Sequence, residues 1–378
     1  MQSKDILIVS RSFYPKNSPR SFRTTELALE LARMKHKVTV LIPDEGYDYT
    51  GFEKDNHVTV ACMGKLPPLY DQISGKGFAN RIKKTFRGIL KYFFEYPRIC
   101  LSYMVWSQLH HQKKYDLLIS IGSPHAIHWG VAWFFRKEAN KTCTWIADCG
   151  DPYMGSKRNR YGKRWYFKYL EHFFCRRADY ITIPFDDAKN AYYEEYRDKI
   201  RVIPQGFHFD PADIAVNDPA EDAVTNVSNK VVTFAFAGTL LADILFPDPF
   251  FRFLAAYKHP FKFVIFTNKE SWELILTSFG RNTENLEYRG IVDRVDLLRE
   301  LRNMDFLINV NNRSRVHRPS KLIDYAIAGR PVLSIDPDHF DERKFTEFMK
   351  GNYDDAHQIE DIEQYHIRTV ARKFLSLS

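Results

Sequence analysis

Residues 5–43 read DILIVSRSFYPKNSPRSFRTTELALELARMKHKVTVLIP, and this stretch sets the fold class. DILIVS (5–10) is a short β-rich apolar run, TTELALELARMK (24–35) carries apolar residues at helical spacing, and KVTVLIP (37–43) is strand-like again. Strand, helix and strand in that order make one β-α-β unit, the building block of a parallel sheet. The pattern continues through VTVACM, DLLISIG, TCTWIAD, DYITIP and IRVIP as strands, with 126–139 and 164–178 as helices between them.

From 209 to 230 the chain changes to FDPADIAVNDPAEDAVTNVSNK, acidic and poor in large apolar residues, which reads as an interdomain connection. The alternation then restarts with VVTFAFAG, FKFVIFTN, LEYRGIV, DFLINVN and PVLSID as strands. The expected layout is an N-terminal Rossmann-like domain over 1–208, a connection over 209–229, a C-terminal Rossmann-like domain over 230–355 and a C-terminal helix over 356–378.

Composition bounds the function. At 378 residues, with 44% hydrophobic and 15% aromatic content, the chain is long enough for two buried cores and shows no sign of wholesale disorder. Five cysteines without a C-x-x-C pair fit a reducing cytoplasm better than zinc or disulfides. Lys91, Glu95 and Arg98 interrupt the most apolar candidate for a membrane span. The net charge of +8 is concentrated in 75–98 and 153–177, where Lys and Arg alternate with Phe, Tyr and Trp. Such stretches suit the anionic cytoplasmic face of a membrane or a solvated helix surface. No nucleic-acid-binding signature accompanies them, so nucleic acid is not expected as a partner.

The most informative motif is HRPSKLIDYAIAGRPVLS, 317–334. Pro319 suits the first position of a helix, Gly329 its C-terminal cap, and Pro331 stops it. Free N–H groups at Ser320, Lys321 and Leu322, together with the charges of Arg318 and Lys321, favour an anion at the tip. Asp324 falls on the face of Ser320 about 6 Å along the axis, where a ribose diol could meet it. Capping by Ser320 alone would also explain the pattern.

Several motifs in one order resemble a known family. PSKLIDYAIAGRPVL resembles the donor helix of GT-B glycosyltransferases of family 4, the group 1 type. The stretch 11–43 resembles that family's opening, IRVIPQGF (200–207) its domain junction, AGTLL (237–241) the start of its C-terminal half, and WIADCGDPY (145–153) a further family segment. The resemblance implies an α/β protein of two Rossmann-like domains facing each other across a cleft, and it allows the C-terminal helix to return to the N-terminal domain. It implies retaining, metal-independent transfer of a hexose or related sugar from a UDP- or GDP-linked donor to a glycan or lipid-linked acceptor, in surface polysaccharide biosynthesis, with no cofactor. In the family the acid at the position of Asp324 holds the nucleotide ribose and the helix start holds the pyrophosphate.

The departures are specific. Val316 stands where the family often has a first glutamate, and GTLLADILF lacks the usual Arg and Lys after the glycine. Phosphate charge must then fall to Arg313, Arg315, Arg318 and Lys321, with Arg11, Arg20 and Arg23 from the N-terminal domain. Gly238, Thr239, Thr267, Gly290 and Val292 end strands of the donor domain and are candidates for the nucleotide pocket. His125 and His128, in SPHAIHWG, follow a strand and are candidates to polarise the leaving phosphate or contact the sugar, and Asp148 and Asp151 to bind or deprotonate the acceptor. SIDPD (334–338) superficially matches a metal-binding D-x-D but reads as turn chemistry. Two alternatives stay open, a nucleotide-sugar epimerase on the same fold and a catalytically silent binding subunit.

Overall fold

The computed structural model describes residues 2–67, 78–137, 141–155, 163–209, 231–240, 246–280, 283–311, 321–358 and 362–378. The chain divides into two compact units, residues 1–208 with 364–378, and residues 209–363.

The first unit is built on a seven-stranded sheet in the order β3-β2-β1-β4-β5-β6-β7. The strands are β1 (Asp5–Ser10), β2 (Lys37–Asp44), β3 (Val58–Lys65), β4 (Leu117–Gly122), β5 (Thr144–Cys149), β6 (Tyr180–Ile183) and β7 (Ile200–Val202). All neighbours are parallel, with Ile6 beside Val38 on one side and Leu117 on the other. Parallel strands are covered on both faces, which explains why β1 and β4 are apolar nearly throughout rather than alternating. The helices are α1 (Pro19–Arg33), α2 (Thr50–Asn56), α3 (Phe78–Phe94), α4 (Cys100–Leu109), α5 (Ala126–Phe134) and α6 (Lys168–Arg177). Chain order reverses between β1 and β4, the switch point at which open α/β sheets leave room for ligands beyond the strand ends.

The second unit has a five-stranded parallel sheet in the order β10-β9-β8-β11-β12. Its strands are β8 (Val232–Ala237), β9 (Phe261–Phe266), β10 (Leu286–Tyr288), β11 (Phe306–Val310) and β12 (Val332–Ile335). They alternate with α7 (Asp248–Ala256), α8 (Lys269–Phe279), α9 (Arg294–Arg302), α10 (Lys321–Ala328) and α11 (Glu342–Met349). One core is a phenylalanine cluster in which Phe234 stacks on Phe263 and Phe306 with centroids 4.7 and 4.8 Å away. Its switch point lies between β8 and β11.

The last helix is shorter than expected and starts later. Residues 356–358 stay with the second unit because Ala356 packs on its core and the His357 amide donates to the Val332 carbonyl at 2.8 Å. A 3-10 turn over Ile362–Tyr365 leads into α12 (Ile367–Leu375). Ile367, Val370, Ala371, Phe374 and Leu375 are all buried in the core that also holds Leu27 and Leu31 of α1, so the chain ends back in the first unit. Arg368 adds a 3.2 Å ion pair to Glu30. Among the described residues no helix is long and apolar enough to cross a membrane.

Candidate functional site

In the second unit the sequence-derived residues gather at the C-terminal ends of the strands. Gly238 follows β8 with φ +146°, a conformation that favours glycine. Its amide donates to the Phe266 carbonyl at 2.9 Å, and the Thr267 hydroxyl donates to its carbonyl at 2.6 Å. Thr267 is buried and so fixes the strand end. Thr239 is exposed. Gly290, at φ +69°, has open space at its Cα apart from the Tyr288 hydroxyl, and Val292 packs partly on the core beneath.

Helix α10 brings Lys321, Leu322 and Asp324 to the same edge. Lys321 is half-buried, and its ammonium lies over the Phe236 ring at 4.5 Å, beside Gly238. No acid pairs with it among the described residues, and burial alone lowers its pKa from 10.5 to about 7. Leu322 packs on the core. Asp324 accepts from Arg294 Nε at 2.7 Å. Burial raises the carboxyl above its usual range, and the Arg294 charge opposes the rise. Gly329, at φ +66°, closes the helix as its sequence position requires. Arg313, Arg315, Val316, Arg318, Pro319 and Ser320 lie outside the described residues.

Sequence reasoning missed two residues here. Arg294 opens α9 and reaches an acid on another helix. Tyr325, fully buried, anchors α10: its hydroxyl accepts from the Ala237 amide at 2.8 Å and donates to the Ile308 carbonyl at 3.0 Å. A phenol inside an apolar helix stripe was the available signal, since a buried Tyr hydroxyl needs partners.

The first unit holds the other candidates, and the structure corrects several. Arg23 does not stand ready for phosphate. It is buried, donates to Asp148 through Nε at 3.0 Å and Nη2 at 2.8 Å, and also donates to the carbonyls of Ile203 and Pro204. Asp148 accepts from Thr182 as well, at 2.7 Å. Burial pushes this carboxyl up, but Arg23 outweighs it and holds the pKa below the usual value. Asp148 is therefore an interior ion, not an acceptor-binding group.

His128 is corrected in the same way. It is fully buried, with Nδ1 2.8 Å from the Ser120 hydroxyl and Nε2 3.5 Å from Cys149 Sγ. Ser120 Oγ also accepts from Trp145 Nε1 at 2.8 Å, so one hydroxyl ties the ring to both strands. Burial, helped by His125 and Arg20, holds the pKa far below 6.5. A sugar cannot touch this ring; it joins α5 to β4 and β5.

His125 is nearly buried, its Nε2 has no hydrogen-bond partner among the described residues, and its ring packs 5.0 Å from that of Tyr153. Burial lowers its pKa to about 4, against the pull of Asp151. It is neutral at pH 7 and so offers a hydrogen bond, not a positive charge, to a phosphate. Arg20 lies across Gly150, where a Cβ would meet its guanidinium at 1.6–1.9 Å, and pairs with Asp151 at 3.7 Å. Arg11 is held by Glu45 at 2.7 Å. In the 336–338 segment, Asp336 accepts the amides of Asp338 and His339 at 2.8 and 3.1 Å, which is turn chemistry.

Residues 22–210 match the family model described as Glycosyltransferase Family 4. The chain belongs to glycosyltransferase family 4. Its activity class is glycosyl transfer, and its two Rossmann-like domains place it in the GT-B fold class. No curated protein sequence matches the family 4 chain significantly. Among solved structures it is similar to a glycosyltransferase from Rickettsia africae ESF-5, with TM-score 0.61 and 11% identity over 100% of this chain and 98% of that one. It is also similar to HepE of Anabaena in complex with UDP, with TM-score 0.60 and 11% identity over 98% of each chain. The apo lipopolysaccharide outer core galactosyltransferase WaaB gives TM-score 0.59 and 12% identity, again over 98% of each. At such identities these likenesses carry the fold alone.

Proposed function

We propose that this family 4 enzyme moves a sugar from a nucleotide-diphosphate donor, UDP- or GDP-linked, to a glycan or lipid-linked acceptor, with retention of configuration, in surface polysaccharide biosynthesis. The observation that carries the reading is Lys321, a half-buried amine over the Phe236 ring at a strand-end glycine on the switch-point edge, with no acid beside it among the described residues. A partly desolvated cation of this kind gains when a diphosphate arrives, because Coulomb attraction strengthens as water is displaced. Cleaving the sugar–phosphate bond leaves negative charge on the diphosphate, and a fixed cation stabilises that charge as it develops. In this scheme Lys321 and the start of α10, with Ser320, Arg318 and Arg313, meet the diphosphate without a metal. Asp324, oriented by Arg294, meets the ribose diol.

Acceptor recognition is assigned to the ends of β4 and β5, where neutral His125 donates or accepts a hydrogen bond and Asp151 serves as an acceptor-side group tuned by Arg20. Five unbridged cysteines fit a cytoplasmic setting. HepE, solved with UDP, makes uridine donors the first to try. The test is a thermal-shift panel of uridine, guanosine, adenosine and cytidine diphosphates and their sugars. A ligand at ~100 times its dissociation constant adds about 2.7 kcal/mol of stability. A flat panel would overturn the reading.

A further inference from the structure

Helix α3 reads FANRIKKTFRGILKYFF and contains five basic residues and no acid. At about 100° per residue, Ile82, Phe86, Ile89 and Phe93 fall within an arc of roughly 60°, while Lys83, Lys84, Arg87 and Lys91 occupy the far side. In a soluble protein such an apolar stripe ordinarily faces the core. Here it faces solvent: Ile82 is 55% exposed, Phe86 56% and Ile89 49%. Isolated exposed apolar side chains are ordinary, but a row of them on one helix face marks a binding surface.

The helix is tied to the unit at its C-terminal end. Buried Glu95 pairs with Lys163, the Tyr166 hydroxyl donates to the Phe93 carbonyl, and the Arg164 guanidinium lies over Tyr92 and Phe93 at 5.6 and 5.1 Å. Those contacts set α3 beside a second surface of the same chemistry, where Lys168 lies over Trp165 at 5.9 Å and Tyr169 at 5.3 Å, and both rings are largely exposed. Like charges crowd along the helix: Arg98, then burial, then Arg87 lower the pKa of Lys91. The fold thus brings the C-terminal end of α3 beside residues 163–169, two basic-aromatic segments that are far apart in sequence.

We infer that α3, with Trp165, Lys168 and Tyr169 beside it, docks the first unit on an anionic phospholipid bilayer. The apolar stripe would enter the acyl boundary while the basic flanks meet lipid phosphates and the aromatic rings lie at headgroup level. Charge selects this occupant. A nucleic acid would satisfy the cations but leave the Ile and Phe stripe in water, and a second copy of the chain would set five positive charges against five. The inference does not depend on the sugar-transfer reading.

The test is co-sedimentation of the full chain with phosphatidylcholine vesicles, with and without phosphatidylglycerol. Binding is expected only to the anionic vesicles and should weaken sharply as salt rises from about 0.15 M to 1 M, where the screening length falls from ~8 to ~3 Å. Lys83→Gln with Lys84→Gln should weaken it roughly 30-fold, and Phe86→Glu with Ile89→Glu should abolish it. Both variants change exposed positions, so unaltered circular dichroism and melting keep the comparison valid. Absent or equal sedimentation on the two vesicle types, or undiminished binding by both variants, would overturn the inference. So would concentration-dependent dimerisation that disappears in the Phe86→Glu, Ile89→Glu protein without vesicle binding.

Discussion

Lys321 should take up a proton when a nucleotide sugar binds. Burial against Phe236 holds its pKa at about 7 in place of 10.5, and a phosphate beside it would restore the charged form. Above pH 7 the free protein carries a mostly neutral amine that must be charged on binding, so affinity should fall about 15-fold between pH 7 and 8.5. At pH 8 about 0.9 proton should be absorbed per ligand. The phosphates of a nucleotide sugar are diesters and do not titrate in this window, so the slope belongs to the protein.

The free protein should show the matching stability effect. The folded pKa lies below the unfolded one, so as pH falls from 10.5 towards 7 the unfolded chain binds the proton first. Stability therefore drops across that window and levels off beneath it. The ceiling is ~5 kcal/mol, lowered because Lys321 is only half-buried and water still screens it. Titration calorimetry at pH 8 in two buffers of different ionisation enthalpy measures the proton uptake. Lys321→Met should abolish uptake and slope, weaken binding by about 10- to 100-fold, and stabilise the free protein at pH 7. Affinity that is level from pH 7 to 8.5, with no proton uptake in the wild type, would refute the placement of phosphate at this amine.

Other outcomes are expected elsewhere in the fold. Asp148→Asn leaves Arg23 charged in the interior and should cost about 3–5 kcal/mol in urea denaturation, with little change in Lys321-dependent proton uptake. For His125 the folded pKa of about 4 lies below the unfolded 6.5, so its stabilising contribution, whole above pH 6.5, should be lost as pH falls to about 4. That loss is ~3 kcal/mol, and the acid-unfolding midpoint of His125→Gln should move to lower pH. Tyr325→Phe leaves the Ala237 amide and the Ile308 carbonyl without their phenol and should cost about 1–3 kcal/mol. Weaker nucleotide-sugar binding should accompany it, because α10 loses its tie to the strand ends.

The sheets were legible because each strand is a short apolar run and each helix carries its own periodicity, both local signals. DILIVS, DLLISIG and VVTFAFAG need no distant partner to be recognised as strands. The stop of α10 was legible for the same reason, Gly329 being the residue whose backbone conformation ends it. What the sequence hid was which polar groups lie inside. Arg23 looked like a loop-adjacent cation because its acid is 125 positions away, and His128 looked reactive because Ser120 and Cys149 come from neighbouring strands. The pairing of Arg294 with Asp324 is likewise a product of topology and not of spacing.

The return of α12 to the first unit has a consequence for synthesis. Ile367, Val370, Ala371, Phe374 and Leu375 complete a core whose other buried members precede residue 208, and about 150 residues intervene. At roughly 5–20 residues per second the ribosome needs on the order of 10–30 s to pass through the second unit. During that interval the seam along α1 lies open, with Leu27 and Leu31 awaiting their partners. Completion of the first unit's core is therefore tied to synthesis of the whole second unit, because the residues that cover Leu27 and Leu31 are among the last to be made.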